Sequence, residues 1–100
     1  MTGSNNDVQG DYVRARVLIS GRVQGVGFRS FSRRYANALM LVGAVKNLYD
    51  GCVEVIVEGE KKKVSQYIKL LKEGSPWSRV DNVSIKWQQY KGDFTSFTIR

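Results

Sequence analysis

The chain of 100 residues has no histidine, one cysteine and one proline. Histidine is the usual acid–base group near neutral pH and the usual metal ligand, so its absence removes Ser-His and Cys-His nucleophile pairs and most transition-metal sites. No metal and no cofactor are expected. Cys52 stands alone and cannot form an internal disulfide. It follows a turn glycine at a strand start and reads as an ordinary strand residue rather than a nucleophile. No apolar run approaches the roughly 20 residues of a membrane span, and no charged-then-apolar leader opens the chain. The expectation is a soluble cytoplasmic protein with no membrane partner. Acids are scarce as well: 9 Asp and Glu face 16 Lys and Arg, for a net charge of +7. Such a balance favours anionic partners such as phosphate esters, nucleic acid or acidic surfaces, without choosing among them.

What is present suffices for one domain with a real core, at 42% hydrophobic and 11% aromatic residues. Residues 1–11, MTGSNNDVQGD, are small, polar and aperiodic and read as a disordered tail. Residues 12–100 read as the folded domain. Tyr12 to Ser20 alternates as a half-buried strand. Phe28 to Leu41 reads as an amphipathic helix whose inward stripe is Phe28, Phe31, Tyr35, Ala38 and Leu39, with Arg33 and Arg34 solvated. Leu41 to Leu48 and Cys52 to Glu58 are strands joined at Tyr49-Asp50-Gly51, a hairpin signal. On the second of these, Val53, Val55 and Val57 face one way, and Glu54 and Glu58 belong to a solvent-facing strand edge. Glu60 to Glu73 is a second helix with Val64, Tyr67, Ile68 and Leu71 as its buried stripe, stopped by Gly74 and Pro76. The Lys61-Lys62-Lys63 run reads as solvated helix surface. Val80 to Tyr90 and Phe94 to Arg100 complete the set as strands. The order β-α-β-β-α-β plus a short terminal strand is an α+β, ferredoxin-like split βαβ sandwich, with two helices on one face of an antiparallel sheet. That fold hosts many functions and names none.

The chemistry concentrates between the first strand and first helix, in Gly21-Arg22-Val23-Gln24-Gly25-Val26-Gly27-Phe28-Arg29. Three glycines in seven residues permit a tight turn with uncovered N–H groups, and a helix N-terminus follows, which together suit an anion. Arg29 in the first helical turn conflicts with the helix dipole unless an anion is bound there. The loop is not a Walker A loop, because no Lys-Ser or Lys-Thr follows. It is not a dinucleotide fingerprint either, because the third glycine is missing. A plain tight turn with Arg29 paired to an acid is the alternative.

This nonapeptide resembles the signature of the acylphosphatases. Gly43-Ala44-Val45-Lys46-Asn47-Leu48-Tyr49-Asp50-Gly51-Cys52-Val53 resembles their second signature, and Gly74-Ser75-Pro76 and Tyr90 through Phe97 resemble later landmarks. The likeness spans about residues 12–100. It implies hydrolysis of a carboxyl–phosphate anhydride to a carboxylate and inorganic phosphate, without metal. It assigns Arg29 to phosphate binding and Asn47 to the attacking water, with Gly21, Arg22, Val23, Gln24, Gly25, Val26 and Gly27 as the amide cradle. Inorganic phosphate and sulfate are then competing anions, and a monomer is expected. Vertebrate members often carry Thr or Ser after that Asn, whereas this chain has Leu48, so a hydrogen bond from such a hydroxyl is missing.

The composition agrees with this chemistry on independent grounds. An acyl phosphate leaves as a carboxylate, whose conjugate acid has a pKa of about 4, and needs no general acid. An alkyl phosphate leaves as an alkoxide and normally needs one, which a chain without histidine supplies poorly. Two other readings are a ferredoxin-like nucleic-acid-binding module and a phosphate-binding protein without catalysis. The first expects stacking aromatics on the central strands, but Val13 to Ile19 and Val53 to Val57 carry none. Asn47 beside an intact loop argues against the second.

Overall fold

The computed structural model describes residues 11–100; of the expected tail, residues 1–10 lie outside the described residues. Seven elements follow in order: β1 (Tyr12–Arg22), α1 (Phe28–Ala38), β2 (Val42–Asn47), β3 (Val53–Glu60), α2 (Lys61–Glu73), β4 (Arg79–Gln89) and β5 (Phe97–Ile99). The sheet order is β4-β1-β3-β2-β5. The four long strands pair antiparallel, as expected, and β5 lies parallel to β2 with Phe97 opposite Gly43, so the five-stranded sheet is mixed. β5 was expected from Phe94 but begins at Phe97; residues 90–96 instead travel from one edge of the sheet to the other.

The alternating residues of β1 and β3 explain the layering. Ala15, Val17 and Ile19 with Val53, Val55 and Val57 are fully buried and meet Val64, Tyr67 and Leu71 of α2 in one core cluster. Burying a Val or Leu side chain is worth roughly 1.5–3 kcal/mol, so this shared stripe dominates the packing. Helix α1 differs from its expected stripe. Phe28, Ser32 and Ala36 are its buried residues, Phe31, Tyr35 and Leu39 are half-buried, and Ala38 is exposed. Ser32 is small and spends its hydroxyl on the Phe28 carbonyl (2.8 Å), and the Tyr67 hydroxyl donates to the Ser32 carbonyl (3.0 Å), so the two helices meet at a serine.

α1 also ends three residues before the expected Leu41. Met40 takes φ 59°, Met40 N–H donates to the Asn37 carbonyl and Leu41 N–H to the Ala36 carbonyl (2.8 Å). This is a left-handed helix stop of the Schellman type, usually marked by glycine; here a methionine holds the position.

The largest correction concerns Glu58. It belongs to β3, the central strand of the sheet rather than an edge, and its side chain is 0% exposed. Its Oε2 accepts from Arg14 Nη1 (3.1 Å) and from the main-chain N–H groups of Lys91 (2.8 Å) and Gly92 (3.3 Å). The segment after β4 therefore covers Glu58 on the face opposite the helices. Glu54 is partly covered as well and pairs with Arg16 at 2.7 Å.

Register decides what gathers at the end of the sheet where β1 stops. Gly21 and Arg22 pair with Val80 and Arg79, at the start of β4, after a register shift at Ser20/Gly21. Ile19 pairs with Val53, and Val53 with Asn47. The β1–α1 loop thus lies between the α2–β4 turn on one side and the β2–β3 hairpin on the other.

Candidate active site

The β1–α1 loop is shaped by two left-handed glycines, Gly25 (φ 74°) and Gly27 (φ 77°). A Cβ at either position would meet nothing within 4 Å, so backbone conformation rather than space selects glycine there. Gly27 is the N-cap of α1 and offers no capping side chain, and the first turn carries no acid. Phe31 N–H closes the first helical bond on the Gly27 carbonyl (3.0 Å). The N–H groups from Gln24 to Ser30 have no hydrogen-bond partner among the described residues. Unspent donors at the positive end of a helix form an anion site without any cation.

Around these donors lies a cavity of about 110 Å³ lined by Val23, Gly25, Gly27, Phe28, Arg29, Ser30 and Ile99. Val23 and Phe28, both buried, hold the two ends of the loop in the core. Arg29 enters from the first turn of α1. Its one hydrogen bond among the described residues is from Nη1 to the Arg100 main-chain oxygen, at 3.3 Å. A guanidinium has five N–H donors, so most of the fork is uncommitted.

Asn47, the last residue of β2, lies on the other flank of the loop. It lines a concavity of about 580 Å³ with Gln24, Lys46, Leu48 and Tyr49. Its Oδ1 is buried and has no hydrogen-bond partner among the described residues. An orphaned buried acceptor costs about 1–3 kcal/mol, which an O–H donor such as water would recover. The hairpin behind it is closed by hydrogen bonds. Asp50 Oδ1 accepts the Cys52 N–H (3.0 Å), and Leu48 N–H donates to the Cys52 carbonyl (2.8 Å). Partial burial, then the hydrogen bond and charge of Asp50, push the Cys52 thiol above its ordinary range, so a thiolate nucleophile is disfavoured there.

The structure brings Val23, Gly25, Gly27 and Arg29 to one cavity, and Gln24 and Asn47 to its neighbour. Gly21 and Arg22 stand outside both, in the β1–β4 ladder, where a Cβ on Gly21 would overlap the Arg79 carbonyl. Val26 turns to a third concavity. Two contacts had no signal of their own in the sequence, although Gln24 itself was expected in the cradle. The Gln24 side chain donates through Nε2 to both the Leu48 (2.8 Å) and Cys52 (2.9 Å) carbonyls, tying the loop to the hairpin that carries Asn47. The chain end at Ile99–Arg100 reaches Arg29 through β5, a contact between residues 71 positions apart. No cluster of potential metal ligands occurs among the described residues.

Comparison with known proteins agrees on one family. The acylphosphatase sequence profile matches residues 15–99. An acylphosphatase of Caldivirga maquilingensis is 50% identical over 92 residues, covering 91% of this chain and 97% of its own. The crystal structure of acylphosphatase from Bacillus subtilis superposes with a TM-score of 0.85 at 36% identity, covering 88% of this chain and 98% of that one. An acylphosphatase structure from Coxiella burnetii gives 0.86 at 36% identity, covering 92% and 96%.

Proposed function

The chain belongs to the acylphosphatase family and hydrolyses acyl phosphates, and we propose how its own residues divide that work. The observation that carries the proposal is the set of unspent N–H groups from Gln24 to Ser30 around the cavity that Arg29 enters. The phosphoryl group binds there, held by loop amides from Gln24 onward and by the Arg29 fork, which suits phosphate oxygens bidentately. Phosphoryl transfer is mostly positioning and stabilisation of charge on the equatorial oxygens, and fixed N–H dipoles supply both. Asn47, on the far side of Gln24, orients the attacking water through Oδ1. An amide cannot take a proton at neutral pH. The water oxygen bonds to phosphorus as the bond to the acyl oxygen breaks. The carboxylate leaves with that electron pair, and the water's proton passes to a phosphate oxygen. The catalytic unit in this proposal is residues 12–100, working as a cytoplasmic monomer.

The test is hydrolysis of acetyl and benzoyl phosphate without added metal. Arg29→Ala lowers kcat/KM by about 10²–10³-fold, the usual effect of losing an oxyanion donor, and weakens inhibition by inorganic phosphate. Asn47→Ala lowers kcat comparably and leaves phosphate inhibition in place. An Asn47→Ala enzyme with unaltered kcat overturns its role. The pH–rate profile shows no enzyme-borne step near pH 6.5 common to both substrates, because no histidine is present to titrate there.

A further inference from the structure

A third cavity, of about 250 Å³, opens on the flank of the loop away from Asn47. Its apolar lining is Val26 and Phe31 from the loop and α1 and Pro76 and Trp77 from the α2–β4 turn, and Ser30 and Arg34 are among its polar members. Gly27 and Ser30 line both this cavity and the phosphate cavity. Successive residues of one loop therefore face three concavities: Gln24 the one holding Asn47, Gly25 the phosphate cavity, and Val26 this one. The sheet order imposes that arrangement. β1 delivers the loop between β4, which starts at the Trp77 turn, and β3, which starts at the Asn47 hairpin.

In an in-line displacement the attacking and leaving oxygens lie on opposite sides of phosphorus. With water held on the Asn47 flank, the acyl group departs on the opposite flank, where this cavity lies. Its walls are fixed in advance. The Phe31 ring packs against Phe28 at 5.5 Å and edge-on to Tyr35 at 4.9 Å. The Ser78 N–H and hydroxyl both donate to the Ser75 carbonyl (3.1 and 2.9 Å), closing the turn that carries Trp77. Trp77 itself is 80% exposed, so its indole remains free to meet a ligand. We propose that this cavity is the acyl subsite and that it selects bulky, preferably aromatic, acyl groups, which pack against Trp77 and Phe31 while the phosphoryl group occupies the cradle. The proposal rests on the phosphate-cradle reading above.

Two measurements on the intact protein separate the subsite from the catalytic reading. The first is kcat/KM for benzoyl against acetyl phosphate. The second is calorimetric binding of benzoylphosphonate against acetylphosphonate, whose P–C bond does not undergo the hydrolysis. The wild type prefers the benzoyl compound in both. Trp77→Ala reduces that preference roughly five- to tenfold, the scale of one aromatic contact. Trp87→Ala removes the indole at the other end of β4, beside Lys61, and leaves the preference as it was. Equal loss on both substrates in Trp77→Ala, or an unchanged preference, overturns the subsite even while hydrolysis continues. Turnover of neither phosphate, with Trp77-dependent phosphonate preference retained, upholds the subsite and overturns the catalytic reading.

Discussion

At the residue scale, Glu58 and Tyr67 show how burial alters what a side chain does. Glu58 has the sequence context of a strand surface, yet it is closed off because the segment after β4 lies over it. Glu58→Ala would leave the Arg14 guanidinium and two N–H groups without their acceptor. Breaking a buried pair costs about 3–5 kcal/mol. The expected loss is near the low end, about 3 kcal/mol by urea unfolding, because Arg14 keeps Gln88 (3.1 Å) and Asp93 (3.5 Å). Tyr67 is 0% exposed, and burial raises its hydroxyl pKa far above the ordinary value, outweighing an opposing contribution from the Ser32 side chain. The raised group keeps its proton in the folded state while the unfolded chain loses it above about pH 10. The unfolded state then binds fewer protons, so stability is fully present below pH 10 and falls by about 1.4 kcal/mol per pH unit above it. Tyr67→Phe should remove this one-proton slope from the alkaline unfolding curve while lowering stability at neutral pH through the lost bond to Ser32.

At the element scale, the cradle depends on backbone shape more than on side chains. Gly27→Ala meets no steric obstacle, so its cost is the left-handed conformation alone, about 1–2 kcal/mol in thermal unfolding. Relaxation of the loop would also re-aim the N–H groups, so inorganic phosphate should bind more weakly to Gly27→Ala in calorimetry. Gln24 links the two elements that the proposed mechanism brings to one substrate. Its strap from loop to hairpin explains how Asn47 keeps a fixed relation to the cradle without bonding to it. The glycines of this loop were readable as a turn because glycine marks positive φ. The end of α1 was not, because Met40 occupies a position at which glycine is the usual signal.

At the scale of the whole molecule, a net charge of +7 and a preformed amide cradle predict that a small anion stabilises the fold. Inorganic phosphate at a hundred times its Kd should add about 2.7 kcal/mol. That raises Tm by roughly 10–20 °C for a domain of this size. Sulfate should act in the same direction, and Arg29→Ala should blunt both shifts. β5 closes the molecule by running parallel to β2 and bringing Ile99 and Arg100 to the cradle. The same crossing segment covers Glu58 on the opposite face, so one stretch of chain serves both core and site.

Periodicity alone was enough for the β-α-β-β-α-β order, the valine stripe of β3 and the stripe of α2, since alternation and helical spacing are local properties of the chain. The loop glycines and Arg29 were likewise local and pointed to an anion cradle, whereas the role expected of Asn47 came from the resemblance of Gly43 to Val53 to the second acylphosphatase signature. Burial of Glu58, the Gln24 strap, the approach of Arg100 to Arg29 and the Trp77 cavity are contacts between residues far apart in the chain. Only the sheet order β4-β1-β3-β2-β5 brings those residues together, because strand neighbours are chosen by long-range pairing, which no local pattern encodes.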